Sequence, residues 1–317
     1  MESETKHAAL TSRLTVAVTG ASGLVGSALC VAMKQRGWSA LRIVRRADAN
    51  ATAALAADEI AWEPTANKWD AARLNGVDAV VHLAGENIAG GRWTAALKQR
   101  IRDSRIVGTK LLAESLAQLE RPPRVLVSAS AIGYYGNRAD ALLAEEHGPG
   151  HGFLPDVCVE WEHATAPATA RGIRVVNLRI GIVLSAKGGA LQKMLLPFRL
   201  GVGGRVGSGG QFWSWISLPD LVGVILHAIT TESLAGPVNT VSPEAVTNRE
   251  FTQTLGSVLH RPTIFPLPTF AARLAFGEMA DGLMLASAHV FPFRLQATGY
   301  QFQHPNLRTA LQDALKT

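Results

Sequence analysis

Cysteine is nearly missing: Cys30 and Cys158 are the only two in 317 residues. A lone pair this far apart is no disulfide framework, and it points to a reducing compartment. No apolar run approaches the ~18 residues needed to span a bilayer, so no membrane partner is expected. Residues 1–12 hold Glu2 and Glu4 but no apolar centre, so they read as a disordered tail and not as a secretory signal. Together these features predict a soluble cytoplasmic protein. Charge is also scarce, at 18% of the residues, which argues against long disordered segments. The basic excess, 31 residues against 25, is scattered and carries no basic-aromatic motif, so no nucleic-acid partner is expected. A positive balance suits a phosphate-bearing small molecule instead. No metal-ligand spacing occurs, so no metal site is expected.

What is present is apolar. Hydrophobic residues make up 47% of the chain, enough for a large core. At about 100–200 residues per domain, the length allows one large or two unequal domains. The organising stretch runs from Leu14 to Arg36. Leu14–Thr19 is short, apolar and β-branched, as in a buried parallel strand. Gly20, Gly23 and Gly26 follow in T-G-A-S-G-L-V-G. From Leu24 the apolar residues fall at helical spacing, and Gly37 stands where a helix ends. Strand, glycine turn and helix form the context of a dinucleotide site. Gly20 permits the turn, Gly23 lets backbone approach a pyrophosphate, and Gly26 lets helix pack on strand. The helix N-terminus offers unpaired N–H groups to the anion.

A second strand, Ser39–Val44, is followed by Arg45 and Arg46. An acidic residue here would accept the ribose hydroxyl bonds of NAD, whereas arginine suits a 2′-phosphate, so the cofactor expected is NADP(H). Ile60–Trp62 reads as a short third strand. Val77–Leu83 reads as a fourth, ending in the small pair Ala84-Gly85, over which a cofactor can lie. His82 inside it reads as a packed histidine. A long helix is expected over 94–119, with Arg105 directed at the cofactor. A fifth strand, Arg124–Ser128, leads into S-A-S-A-I-G-Y-Y-G, and the Ser128 hydroxyl at its end is directed at the nicotinamide.

Taken in order, T-G-A-S-G-L-V-G, D-A-V-V-H-L-A-G and S-A-S-A-I-G-Y-Y-G resemble the extended branch of the short-chain dehydrogenase/reductase superfamily. H-L-A-G-E-N-I, S-R-I-V-G-T and L-L-P-F-R-L-G-V-G-G look like an atypical subfamily. Its members are described as NAD(P)-dependent nucleotide-sugar epimerases or after a link to cell-division inhibition, and they carry a C-terminal domain of unknown function. The resemblance implies an α/β fold, a Rossmann-type doubly wound parallel sheet of seven strands with a smaller C-terminal α+β substrate lobe. The domains expected are a cofactor domain over 13–242, lending parts of the substrate lobe from about 185–216, and a C-terminal lobe over 243–317. By position it implies Gly20, Ser22, Gly23, Leu24 and Val25 around the pyrophosphate, and Arg45 and Arg46 at the 2′-phosphate. Leu83, Ala84, Gly85 and Glu86 would line the fourth strand's end, with Arg105 beside them and Val183 passing the nicotinamide. Ser130 matches the superfamily's catalytic serine.

The superfamily's general acid/base is a tyrosine followed four residues later by a lysine, whose ammonium lowers the phenol's pKa. Here the only tyrosines are Tyr134, Tyr135 and Tyr300, and none has that lysine. Cys158 and Glu162 stand at the expected spacing, but Glu162 would raise a neighbouring thiol's pKa. Tyr134 or Tyr135 is left as a displaced proton donor, with Tyr135 chosen. Two functions follow: an NADP(H)-dependent oxidoreductase or epimerase-like enzyme acting on a small carbonyl or hydroxyl substrate, or a non-catalytic NADP(H)-binding regulatory or sensor protein. Further on, Trp213 and Trp215 read as core, Pro219-Asp220 as the cap of a helix over 221–229, and Asn248 as the cap of one reaching Leu259. Phe270–His289 reads as an interrupted helix, Arg294–Phe302 as extended and Leu307–Leu315 as a closing helix. Apolar helix faces in this lobe leave room for a homodimer interface.

Overall fold

The computed structural model describes residues 13–45, 55–63 and 68–316. The expected tail over 1–12 and Arg46 lie outside the described residues.

Strand β1 (Thr15–Thr19) is buried over Val16–Thr19. It turns into α1 (Leu24–Gln35), which buries Gly26, Leu29 and Met33. The helix ends at Gly37, whose φ of 74° lies in the left-handed region that glycine adopts without strain. β2 (Ser39–Arg45) and β3 (Glu59–Glu63) extend the sheet outward in parallel. β4 (Lys68–Trp69) folds back antiparallel, with Trp69 opposite Trp62. The chain then crosses to the other side of β1 as β5 (Ala79–His82), pairing Thr19 with His82. Helix α2 (Ala95–Ala117) begins at Thr94, whose hydroxyl accepts from the Leu97 N–H. β6 (Val125–Ala131) follows, then β7 (Leu142–Leu143), α3 (Phe153–His163) and α4 (Ala166–Ala170). β8 (Arg174–Ile180) lies beside β6, and β9 (Ile182–Leu184) leaves the sheet.

The order β12-β8-β6-β5-β1-β2-β3-β4, with β12 at Gly236–Thr240, comprises seven parallel strands and the antiparallel β4 edge. Strand order reverses between β1 and β5, so a crevice opens at their C-terminal ends. Successive β1 residues serve opposite faces. Val16 and Val18 join the core with Leu29, Met33, Leu221 and Ile225, and Ala17 joins the other core with Leu112 and Leu116.

The remaining elements follow β9, and one of them, the helix carrying Leu221 and Ile225, packs back onto the sheet beside α1. They are α5 (Gly189–Arg199), β10 (Phe212–Trp213), β11 (Trp215–Ser217), α6 (Leu218–Thr230), β13 (Val246–Thr247) and α7 (Asn248–Leu259). After them come α8 (Thr269–Phe276), β14 (His289–Val290), α9 (Phe293–Ala297) and α10 (Leu307–Leu315). Trp213 and Trp215 are core, packed with Phe251, Leu255 and Leu311.

Three local expectations are corrected. Ser217, not Pro219-Asp220, caps α6: its hydroxyl accepts from the Asp220 N–H at 3.0 Å. The Asp220 carboxylate is instead drawn into tertiary bonds from the Gln303 and His304 N–H groups. Thr247, not Asn248, caps α7, in a reciprocal box with Glu250. Residues 293–297 are helical and not extended, because Pro292 precedes the first turn and Thr298 Oγ1 closes the last one on the Arg294 carbonyl. Among the described residues no helix is long and apolar enough to cross a membrane.

Candidate functional site

The turn between β1 and α1 is built on contact distances that only glycine tolerates. Gly20 has φ 67°, and a Cβ there would stand 2.9 Å from the Leu83 carbonyl carbon. A Cβ on Gly26 would stand 2.2 Å from the Gly20 oxygen. The Gly23 N–H closes the turn on the same oxygen at 2.9 Å. No side chain caps α1 at Gly23, so its first-turn N–H groups keep no such partner. Ser22 and Gly23 are exposed, and Leu24 and Val25 are half-buried. Arg45 stands exposed at the end of β2.

The end of β5 is tied to this turn through a buried polar chain. Thr19 Oγ1 accepts from the Leu83 and Ala84 N–H groups at 3.1 and 3.2 Å. It also lies 2.7 Å from His82 Nδ1. With both acceptor positions of Thr19 used, its proton goes to Nδ1, which leaves the histidine proton on Nε2, 3.0 Å from Thr109 Oγ1. The Trp161 indole donates to the same Thr109 oxygen at 2.9 Å. Burial pushes His82 down to about 4, so the ring is neutral. His82 is thus a clamp joining β1, β5, α2 and α3, and Thr109 and Trp161 are members that periodicity alone does not reveal.

Past the clamp, the Glu86 N–H donates to Ser104 Oγ at 3.0 Å. Arg105 projects from α2 against Gly85: a Cβ on that glycine would sit 3.5 Å from the guanidinium carbon. The guanidinium also lies over the Trp161 ring, 5.0 Å from its centre. Its guanidinium donates to the Ile101 carbonyl, and no ion pair involves it among the described residues. Burial lowers its pKa, so the charge is held at a desolvation cost.

At the end of β6 the two sequence-predicted serines part company. Ser128 is fully buried, with its hydroxyl turned to the Ala129 carbonyl at 3.4 Å, so it is not positioned to touch a ligand. Ser130, also buried at 3% exposure, lies at the strand end and faces α3. Its hydroxyl donates to Glu162 Oε1 at 2.8 Å. Arg179 is Ser130's direct neighbour on β8. It grips the same carboxylate with two N–H groups, Nε to Oε1 and Nη2 to Oε2, both at 2.9 Å. The Arg179 side chain is 3% exposed and that of Glu162 11%, so this is a buried fork. Tyr134 covers its face, with the guanidinium 3.5 Å from the ring centre.

Tyr135 does not serve as the displaced proton donor. It is fully buried, and its hydroxyl is held between Asn239 Oδ1 at 2.7 Å and the Ala144 carbonyl at 3.1 Å. It also accepts from Arg179 Nη1 at 2.9 Å. Burial pushes its phenol up to about 12. Cys158, in the tyrosine's place, is 3% exposed, and burial, then Glu162, pushes its thiol up to about 12. Arg179 had a legible signal: a charge at the end of the apolar run R-V-V-N-L-R-I calls for a buried partner.

Val183 is half-buried in β9, and the segment after it crosses to the glycine turn. A Cβ on Gly188 would lie 3.4 Å from the Leu24 methyls. The crevice thus brings together Ser22, Gly23, Leu24 and Gly188 at one end, and Leu83, Ala84 and Gly85 beside the turn. A separate groove of about 390 Å³, lined by Trp93, Lys98, Arg102, Phe153 and Glu278, shares no residue with it. No cluster among the described residues could hold a metal ion.

Comparison with known proteins places these features in context. The model of the NAD dependent epimerase/dehydratase family matches residues 16–240, and a domain of unknown function (DUF1731) matches residues 267–314. Epimerase family protein Mb2239 of Mycobacterium bovis is 46% identical over 296 residues, covering 93% of this chain and 96% of that one. The crystal structure of human epimerase family protein SDR39U1 (isoform 2) with NADPH superposes with a TM-score of 0.87 at 34% identity, covering 96% of this chain and 99% of that one. A nucleoside-diphosphate sugar epimerase from Corynebacterium glutamicum superposes with a TM-score of 0.79 at 33% identity, over 98% of this chain and 60% of that one.

Proposed function

The chain belongs to the NAD dependent epimerase/dehydratase family, and from that premise we propose that it is an NADP(H)-dependent enzyme of oxidoreductase or epimerase type, acting on a hydroxyl or carbonyl group of a small molecule. The observation that carries this reading is the glycine turn at the reversal of strand order, where the missing Cβ atoms let strand, turn and helix pack closely and the first-turn N–H groups of α1 have no side-chain cap. The NADPH bound to the human relative supports the choice of cofactor.

In this reading Gly20, Ser22, Gly23, Leu24 and Val25 surround the pyrophosphate. Arg45 and Arg46 meet the 2′-phosphate. Leu83, Ala84, Gly85 and Glu86 line the path past β5, Arg105 supplies an unpaired positive charge beside it, and Val183 borders the nicotinamide. When bound, the nicotinamide supplies a hydride donor or acceptor. Ser130 orients the reacting oxygen of the substrate at the end of β6. The buried Glu162–Arg179 fork is a costly arrangement to maintain without a chemical task, and this favours an enzyme over a sensor.

The test is cofactor selectivity. Arg45→Ala is expected to lower the preference for NADPH over NADH by about tenfold, or ~1.4 kcal/mol, since it removes a charge from the 2′-phosphate site. An unchanged ratio of the two dissociation constants would count against the reading.

A further inference from the structure

Among the described residues twelve large hydrophobic side chains are exposed, and seven of them gather in one region. Leu196 and Leu200 stand one turn apart at the end of α5. Gly201, next to them, lies against Pro262, whose ring a Cβ would meet at 3.6 Å. From there residues 202–207 run beside 261–267. The pairings Gly204–Ile264 and Val206–Leu267 join the two segments, and the Leu267 N–H donates to the Arg205 carbonyl at 2.8 Å. Val202, Ile264 and Phe265 are more than half exposed on this pair. The chain then enters α8, where Ala272 packs inward with Val206 and Ala280. Phe270 and Leu274, one turn apart on the opposite face, are 73% and 75% exposed. From Pro262 to Phe276 the only polar residues are Thr263, Thr269 and Arg273.

At ~150–200 Å² per side chain, seven of them more than half exposed offer roughly 600–900 Å² of apolar surface. The largest apolar patch of a typical monomer is about 300–600 Å². Each partner of a standard-size interface contributes about 800 Å². Pro262, Pro266 and Pro268 fix the backbone beneath the patch, so little entropy is left to lose on docking. Its rim carries both signs. Arg261 Nε donates to the Arg199 carbonyl where the run begins, and neither arginine is in an ion pair among the described residues. Glu278 and Asp281 follow the end of α8, both about half exposed. A cationic rim alone would suit an anionic lipid surface and repel its own copy. Opposite signs at the two ends of the run suit a two-fold axis, which turns the start of one run toward the end of the other. We propose that this surface is the interface of a homodimer, in which two copies pack α8 against α8 about a two-fold axis. Phe270 of each copy meets Leu274 of the other. Arg199 and Arg261 face the other copy's Glu278 and Asp281.

Sedimentation velocity of the full chain over a dilution series tests this without cofactor or turnover. The expected result is a species of two chains that dissociates on dilution. Phe270→Glu and Leu274→Glu each put a charge at the proposed centre. Both positions are exposed, so denaturant midpoints are expected to match wild type. Each substitution is expected to weaken the dimer by about 100-fold, as loss of a central anchor does. Arg261→Glu leaves the apolar run intact and is expected to weaken it by about tenfold. Val107→Glu, at an exposed apolar position on α2, is expected to change nothing. A chain that stays single at every concentration overturns the proposal. So does a dimer that survives both α8 substitutions, or one that Val107→Glu breaks and they do not. Co-sedimentation of a single-chain protein with phosphatidylglycerol vesicles would overturn it in favour of a lipid surface.

Discussion

Gly26→Ala is expected to abolish NADPH binding and to destabilise the fold at once. The added methyl would stand 2.2 Å from the Gly20 oxygen and 2.8 Å from the Ala21 Cα, and neither backbone atom can swing aside as a side chain would. Relief requires α1 to lift from β1, which opens the core around Leu29 and Met33. Overpacking of this kind costs about 1–3 kcal/mol, occasionally more. The same lift withdraws the first-turn N–H groups from the pyrophosphate position. Gly37→Ala is the control. Gly37 has φ 74° but nothing within 4 Å of an added Cβ. It should therefore cost only the left-handed strain, ~1–2 kcal/mol, and leave binding intact. Chemical denaturation and calorimetric titration of both variants separate the two effects.

The second large effect is expected at Glu162. Glu162→Ala removes the carboxylate that Arg179 grips with two N–H groups and leaves a buried guanidinium uncompensated. Breaking such a pair by removing one partner costs about 3–5 kcal/mol. The loss exceeds that expected at an exposed bridge such as Arg42–Asp58, where water and salt screen both charges. Denaturant midpoints for the two single variants make the comparison. A Glu162→Ala midpoint close to wild type would mean that Arg179 finds another partner and that the fork is not fixed. The Ser130 hydroxyl would also lose its acceptor, so the loss at Glu162 is expected to be both structural and functional.

Much of the fold was legible because its signals are local. The short apolar, β-branched run Leu14–Thr19, the glycines at three-residue spacing and the apolar spacing from Leu24 act over a few residues, and the structure follows them. The small pair Ala84-Gly85 after β5 and the burial of His82 were legible for the same reason. What escaped depends on partners distant in sequence. Thr109 and Trp161 matter because β5 delivers His82 between α2 and α3. Ser128 and Ser130 look alike as hydroxyls on one strand, yet the sheet interior closes over the first while α3 meets the second. Tyr135 is available by sequence position, but Asn239, from β12, holds its hydroxyl. The cap of α7 lies one residue before the expected one, and that of α6 two or three before, because Asp220 and Asn248 are committed to tertiary bonds, Asn248 accepting from the Val206 N–H at 2.7 Å.

The central claim is that this chain holds NADP(H) on the glycine turn. It is tested most directly by calorimetric titration of the cofactor-free protein with NADPH and then with NADH. The account predicts saturable binding of NADPH at one site per chain and weaker binding of NADH. No heat from either cofactor, or equal affinity for both, would contradict it.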